Sequence, residues 1–422
     1  MNNFGRLYLY ELKKILHKKM VWITFGVIFC FVLLMATADC FLMSYSIYSA
    51  DGKEEKVSGY EKMLEERENA RILSGRKIDD ALLDEMKQAN QGKEVLEEQG
   101  REIEDGALTT RAETIFTSYD GSFDKEESQK YKVIYDYVRY LAGSEEAVLH
   151  TDEKELYQIR KDEITALYEA QQLKEEEIAY WEEREAGLEI PFTYEYAEGG
   201  ERCLDFLYSM NFCIMMLIAI CLSGVFSDEH MRKTDQIISG TRYGKKILYF
   251  AKLAAGASFG IGSTGLLLLT GIFLILSIYG ADGLRGAIQI VIPFCTWHLT
   301  LGETVLWCLA LLLLIAGIYS VVIMFLSERL KSSTAAMALF TGVFIIDFFL
   351  NIPYRYRMLS QIQSLMPSKI MRSGGWSDLR LVKIFGEYLM SYQFAPLLYL
   401  VAAVLFILIG KRTYERFQVT GR

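Results

Sequence analysis

Six apolar stretches separated by polar ones set the plan of this chain: 20–48, 204–226, 247–279, 304–326, 334–352 and 395–409. Runs of such length read as membrane spans rather than as the core of a soluble domain. The last is short and carries Pro396 in its first turn, where proline is tolerated. Ahead of the first run, residues 1–19 place Leu7, Tyr10, Leu12, Ile15 and Leu16 broadly on one side and gather Lys13, Lys14, Lys18 and Lys19 near the end. That pattern predicts an amphipathic helix lying in the membrane interface; the alternative is a basic flank that only sets orientation. Between the first two runs, residues 51–200 change character and read as an inserted helical domain. In 125–141, Tyr131, Ile134, Tyr135, Val138 and Leu141 recur at spacings of three and four, an amphipathic stripe. The segment 79–99 is rich in helix formers. Thr151 can cap a following helix that runs to about Glu185, some 50 Å at about 1.5 Å per residue. The expected fold class is an all-α membrane protein of six transmembrane helices with a helical domain inserted after the first.

Charge sharpens the division. The 422-residue chain is 51% hydrophobic and carries a net charge of −9. Residues 51–200 hold 40 Asp/Glu against 20 Lys/Arg, whereas the remainder holds 14 against 25. An acidic block is therefore set into a basic membrane framework. The bases border spans rather than forming one stripe, which argues against nucleic-acid binding. With the N-terminus inside, segments 1–20, 227–252, 327–332 and 410–422 take 17 of those 25 bases, as the positive-inside rule asks. Both termini are then expected in the cytosol and 51–200 outside a plasma membrane. The first apolar run is too long for a signal-peptide core and lacks a small-residue cleavage site, so it is expected to remain as an anchor. Residues 353–392 strain the scheme, being expected outside yet bearing Arg355, Arg357, Lys369, Arg372, Arg380 and Lys383. Within them, 358–371 is amphipathic and broken by Pro367, which predicts two short helices dipping into the outer leaflet. Phe192, Tyr194 and Tyr196, just before the second run, suit an outer aromatic belt.

Little in the sequence assembles a catalytic site. The seven cysteines have no metal-ligand spacing and none lies in 51–200. His17, His150, His230 and His298 are scattered, and no HExxH or GxSxG occurs. Gly240-Thr-Arg-Tyr-Gly244-Lys245-Lys246 is one residue short of a phosphate-binding loop, and no Ser or Thr follows its lysine. ATP hydrolysis, if used, belongs to another chain. Polar residues inside the apolar runs are few: Asp39, Asn211 and Asp347. Intramembrane polar groups face protein or water, so Asn211 and Asp347 are candidates to line a translocation path. The alternative is that they reach the outer interface or a subunit contact.

The most informative stretch is 226–252, FSDEHMRKTDQIISGTRYGKKILYFAK, with Arg232, Lys233, Arg242, Lys245, Lys246 and Lys252 against Asp228, Glu229 and Asp235. It is expected to be a basic loop with a short amphipathic helix at the membrane surface. The order Glu229, Thr234, Ser239, Arg242, Lys252 resembles the loop between the second and third spans of ABC-2 type transporter permeases. Lys233 stands where that family has a glycine, and the proline common before its arginine is absent. The six spans, the interfacial start, the paired short helices and the basic tail extend the likeness over most of the membrane part. The resemblance implies a type V exporter-like half-transporter that forms a dimer with a second permease chain, a homodimer or a similar partner. Cytosolic ABC ATPase subunits would carry ATP and Mg, this chain binding no cofactor or metal itself. Glu229, Arg232, Thr234, Ser239 and Arg242 would couple the permease to the ATPase, and the substrate would be a lipid, drug or peptide-like compound, exported. The competing expectation is a non-transporting membrane sensor or scaffold with an extracellular helical domain.

Overall fold

A computed structural model describes residues 3–41, 44–48, 54–90, 130–232, 234 and 246–416. The described chain is mostly helical. In order, its elements are α1 (Asn3–Leu16), α2 (Lys19–Phe41), strands β1 (Ser44–Tyr48) and β2 (Glu54–Ser58), α3 (Gly59–Leu73), α4 (Asp80–Asn90), α5 (Lys132–Ala142), α6 (Glu145–Val148), α7 (Glu153–Ala170) and α8 (Glu175–Ala186). There follow α9 (Glu198–Leu222), α10 (Gly224–Met231), α11 (Lys246–Tyr279), α12 (Leu301–Leu330), α13 (Ser333–Phe349), α14 (Arg357–Ser364), α15 (Pro367–Ile370), β3 (Leu381–Ile384), β4 (Glu387–Met390) and α16 (Ser391–Arg416). Among the described residues, five helical stretches are long and apolar enough to cross a membrane: Lys19–Phe41, Glu198–Met231, Lys246–Tyr279, Leu301–Leu330 and Ser391–Glu415. A shorter apolar helix, α13, has 17 residues.

The chain divides into two compact units, one of residues 1–33, 204–272 and 306–422, the other of residues 34–203 and 273–305. In the first unit, α11 packs closely on α12. A Cβ at Gly256 would lie 2.3 Å from the Met324 sulfur, and one at Gly260 2.0 Å from Ser320 Oγ. Two glycines one turn apart let the helix backbones approach, the small-xxx-small device of membrane helices. Near its C-terminal end this unit also forms a hairpin, β3 with β4, with Leu381 opposite Met390 and Ile384 opposite Glu387. Its two-residue turn has positive φ at both Phe385 and Gly386, the geometry that matches strand twist in tight hairpins.

The second unit has a core of its own. Leu82, Leu83 and Met86 of α4 meet Ile134, Tyr135, Val138 and Leu141 of α5, together with Leu156. The stripe read from the spacing in 125–141 is thus the buried face of α5. Residues 91–129 lie outside the described residues, so the 79–99 helix is seen only as α4.

Several expectations are corrected in this unit. The first apolar run is not helical throughout: α2 is described to Phe41, residues 42–43 lie outside the described residues, and Ser44–Tyr48 is extended and pairs with Glu54–Ser58; Tyr and Ile alternating with Ser favour a pleated strand. The helix starting near Thr151 does not reach Glu185. It ends at Ala170, where Gln172 turns left-handed (φ 53°), its N–H bonds Glu169 O and Leu173 N–H bonds Tyr168 O. That is the Schellman pattern with glutamine in the position glycine usually takes. Asp152, not Thr151, is the cap, accepting from Glu155 N at 2.8 Å, while Thr151 Oγ1 donates to Ala147 O. Phe192, Tyr194 and Tyr196 are not a surface belt: they are 3%, 2% and 5% exposed. Tyr194 exchanges backbone hydrogen bonds with Gly75 and Arg76, which draws its ring into the core.

Candidate functional site

In the first unit the residues of the resembling loop meet the N-terminal helix in a buried ion cluster. The helix α1 has Leu7, Glu11 and Ile15 at successive turns of one face, and Glu11 and Ile15 are buried. A carboxylate sits where an apolar residue would be expected. Glu229 occupies the last turn of α10, and Lys252 the second turn of α11, its side chain fully buried. Lys252 Nζ donates to Glu229 Oε1 at 2.6 Å and to Glu11 Oε2 at 3.0 Å. Lys14 Nζ donates to the same Glu229 oxygen at 2.5 Å and stands 3.7 Å from Glu11. Two acids and two bases therefore balance, each charge facing an opposite one, which is the condition under which buried ions are tolerated. Burial opposes the charge on Lys14, but the Glu229 carboxylate outweighs it and raises the ammonium above its ordinary range. Four residues after Lys14, Lys18 pairs with Asp228 at 2.7 Å.

The backbone around the cluster is also fixed. At Ser223 one helix gives way to the next, which leaves the first-turn N–H groups of α10 without helical partners. Ser327 Oγ of α12 accepts from the N–H groups of Phe226 and Ser227, at 3.3 and 3.1 Å. The Phe226 ring lies 5.7 Å from Lys252 Nζ and packs on Tyr249 and Tyr414. Thus α1, α10, the start of α11 and the end of α12 meet at one place.

The candidate coupling residues divide on this geometry. Glu229 is inside, 7% exposed, and not on a loop. Arg232 is exposed and closes α10, its N–H bonding Asp228 O. Thr234 bonds Glu229 O through N–H at 3.1 Å. Ser239 and Arg242 lie outside the described residues. In the sequence Glu11 goes unremarked, Lys14 stands only as one of four lysines near the end of the first segment, and Lys252 is a loop base that closes the order shared with the resembling family. The signal that could have found them is a charge within an apolar helix face, at Glu11 between Leu7 and Ile15 and at Lys252 between Leu248 and Ala255.

Asn211 and Asp347 come together elsewhere in the same unit. Asn211 Nδ2 donates to Pro367 O at 2.7 Å and its Oδ1 accepts from Tyr319 at 3.3 Å. Asp347 accepts from the Ser368 hydroxyl and from Gln363 Nε2, the latter at 3.2 Å. Both therefore hold the short pair α14–α15 in place. Lys369 donates to Phe348 O, Leu350 O and Asn351 Oδ1 at 3.1, 2.5 and 2.9 Å, and Arg372 also donates to Phe348 O. The carbonyls left over at the C-terminal end of α13 are thereby satisfied by cations, as the helix dipole favours. Burial, with Arg372 nearby, lowers the Lys369 ammonium from its ordinary range despite Asp347. Among the described residues no group of three or more His, Cys, Asp or Glu could hold a metal ion, and the seven cysteines are unpaired.

No protein-family model, no curated protein and no solved structure matches the chain.

Proposed function

We propose that this chain is the permease subunit of a membrane transporter driven by a separate ATPase. The observation that carries the reading is the ion cluster. Glu229 and Lys252 flank the segment 232–245, and both are bonded to α1 through Glu11 and Lys14. A push on that segment would act on three helices through contacts that cost about 3–5 kcal/mol to break at one partner. A docked ATPase needs such a linkage, whereas a solvated loop would absorb the push. The order of residues that resembles ABC-2 permeases, with Arg232 exposed and Thr234 bonded to Glu229 O, supports the same role.

In this reading the five long helices and α13 make six spans. At about 1.5 Å per residue α13 measures roughly 25 Å, short of a hydrocarbon core of about 30 Å, a mismatch that bilayer thinning accommodates. Both termini and 232–245 face the cytosol of a cell membrane, and 51–200 lies outside. Two permease chains pair, and cytosolic ATPases supply the ATP and Mg chemistry. Asn211 and Asp347 act by anchoring α14–α15 beside the path. The cargo is a lipid, drug or peptide-like compound, moved outward.

The test is charge reversal, Arg232→Glu with Arg242→Glu, in chain copurified with its ATPase. Insertion and folding should persist while stimulation of ATP hydrolysis is lost. Normal coupled turnover would overturn the assignment, as would failure of the wild-type chain to copurify with any ATPase. Thiol labelling of intact cells should reach Asp120→Cys and not Gly240→Cys.

A further inference from the structure

The second unit holds a cavity of about 170 Å³ at the place where the C-terminal ends of α2 and α11 and the N-terminal end of α9 meet α3. It has the volume of about six liquid waters at ~30 Å³ each. Its walls carry charges of both signs: Asp39, Glu66 and Glu198 against Lys62 and Arg202. Arg202 pairs with Asp39 and Glu198, and lies over the Tyr279 ring at 4.3 Å. Lys62 and Lys132 both approach Glu66, at 3.9 and 2.9 Å. The three carboxylates remain 37–43% exposed, so they are paired on one side and open on the other. With Lys132 counted, three acids face three bases, a balance that suits a headgroup carrying one charge of each sign.

The rim is apolar. Phe41, 66% exposed, stacks on Tyr60 beside the lining residue Gly59, ring centroids 6.0 Å apart. Leu34, two turns earlier on the same helix and seven residues from Phe41, is also exposed. The cavity thus offers a polar pocket of headgroup size, at the end of helices apolar enough to cross a membrane, and the helix that supplies Asp39 and Cys40 also exposes Leu34 and Phe41.

We infer that this cavity seats the headgroup of a zwitterionic, ammonium-bearing membrane amphiphile. The ammonium donates to Glu66 and its neighbouring carboxylates, a phosphate faces Lys62 and Arg202, and the chain lies along Phe41 and Leu34. The inference needs these helices to lie in a bilayer and nothing more, so it can stand or fall separately from coupling to an ATPase.

Native mass spectrometry of the full chain, loaded with lipids of equal acyl chains, tests it. Phosphatidylethanolamine should be retained over phosphatidylglycerol, which lacks the ammonium, and over phosphatidylcholine, whose quaternary nitrogen cannot donate. Glu66→Gln removes one charge-assisted hydrogen bond and should cut that preference about tenfold. Asp84→Asn, on the exposed face of α4, should leave it unchanged. If Glu66→Gln does not fold, Lys62→Gln serves, and should weaken retention of phosphatidylethanolamine by a similar factor. Equal retention of the three lipids overturns the inference, as does indifference to both lining variants in folded protein. Soluble phosphoethanolamine competing as well as the lipid at equal concentration overturns the amphiphile assignment, because the rim would then contribute nothing.

Discussion

Replacing Glu229 by glutamine keeps the shape of the side chain and removes the charge that Lys14 and Lys252 share. At 2.6 Å the attraction between Lys252 and Glu229 is ~6 kcal/mol at an effective dielectric of about 20. Desolvation of each ion costs several kcal/mol and offsets most of it, so the pair is worth far less than its Coulomb energy. The cost of the variant comes from what remains. Lys252 has no exposed side-chain surface and keeps one carboxylate, Glu11 at 3.0 Å, with the Val225 carbonyl at 3.5 Å. Leaving a buried charge short of a partner costs about 3–5 kcal/mol, and the surviving Glu11 places Glu229→Gln at the lower end, ~3 kcal/mol. Lys252→Met should cost a comparable amount by stranding Glu229 and Glu11 with Lys14 alone. The double variant leaves Glu11 and Lys14 to pair, 3.7 Å apart, and removes both stranded charges. Its loss should fall short of the summed single losses by about 1.5–3 kcal/mol, the coupling expected of residues in one network. Denaturant unfolding of the purified chain in mixed micelles measures all three variants. Losses that add to within about 0.5 kcal/mol would show that the four charges do not act as a unit, and the linkage argument for α1 would fail with them.

Asp347→Asn should weaken the hold on α14–α15, since hydrogen bonds to a charged group contribute about 1.5–3 kcal/mol; amide exchange across residues 363–369 should quicken by tenfold or more, with α12 unchanged. Gly260→Leu forces a side chain against Ser320 Oγ, where even a Cβ would be 2.0 Å away, and overpacking should cost at least about 1–3 kcal/mol. Gly262→Ala meets nothing within 4 Å, and should be neutral or stabilising by up to about 1 kcal/mol; thermal midpoints of the two compare them directly. Hydrogen bonds from Arg76, at 2.6 and 2.9 Å, and from Tyr131, at 2.9 Å, hold the Glu85 carboxyl at about 2, below its ordinary 4.5. A depressed carboxyl stabilises the fold fully above about 4.5 and loses that contribution as the pH falls towards 2. The pair is exposed, so the effect stays under ~1 kcal/mol, and Glu85→Gln should flatten the thermal midpoint over that acid range.

The apolar runs were legible because a helix in hydrocarbon must satisfy its backbone internally, which leaves few readings for so long a stretch. The stripe of α5 was legible for the same kind of reason, its period matching one buried face. What was not legible depends on partners distant in sequence. Glu229 reads as a loop acid until Lys252 and Glu11 are placed beside it, and Asn211 reads as a lone polar group in an apolar run until Pro367 O is found against its amide. Tyr194 and Tyr196 have the apolar body and polar tip of an interfacial residue, and the same features serve a core position near a backbone partner. The break between α7 and α8 has no glycine to announce it, because Gln172 takes the left-handed turn. The hairpin near 385 offers Gly386 as a cue, but Phe385 at the other turn position disguises it.

The cations around α13 bear on how its orientation should be judged. Six lysines and arginines in 353–392 stood against placing that stretch on the far side of the bilayer. Lys369 and Arg372 bind helix carbonyls, and Arg380, 2% exposed, is clasped by Asp378 and Ser360. Half of these six bases are therefore wired into the fold as structural ligands. A lysine whose protons are already claimed by peptide oxygens offers little to an anionic leaflet, which lightens the weight of Lys369, Arg372 and Arg380 in any topological tally.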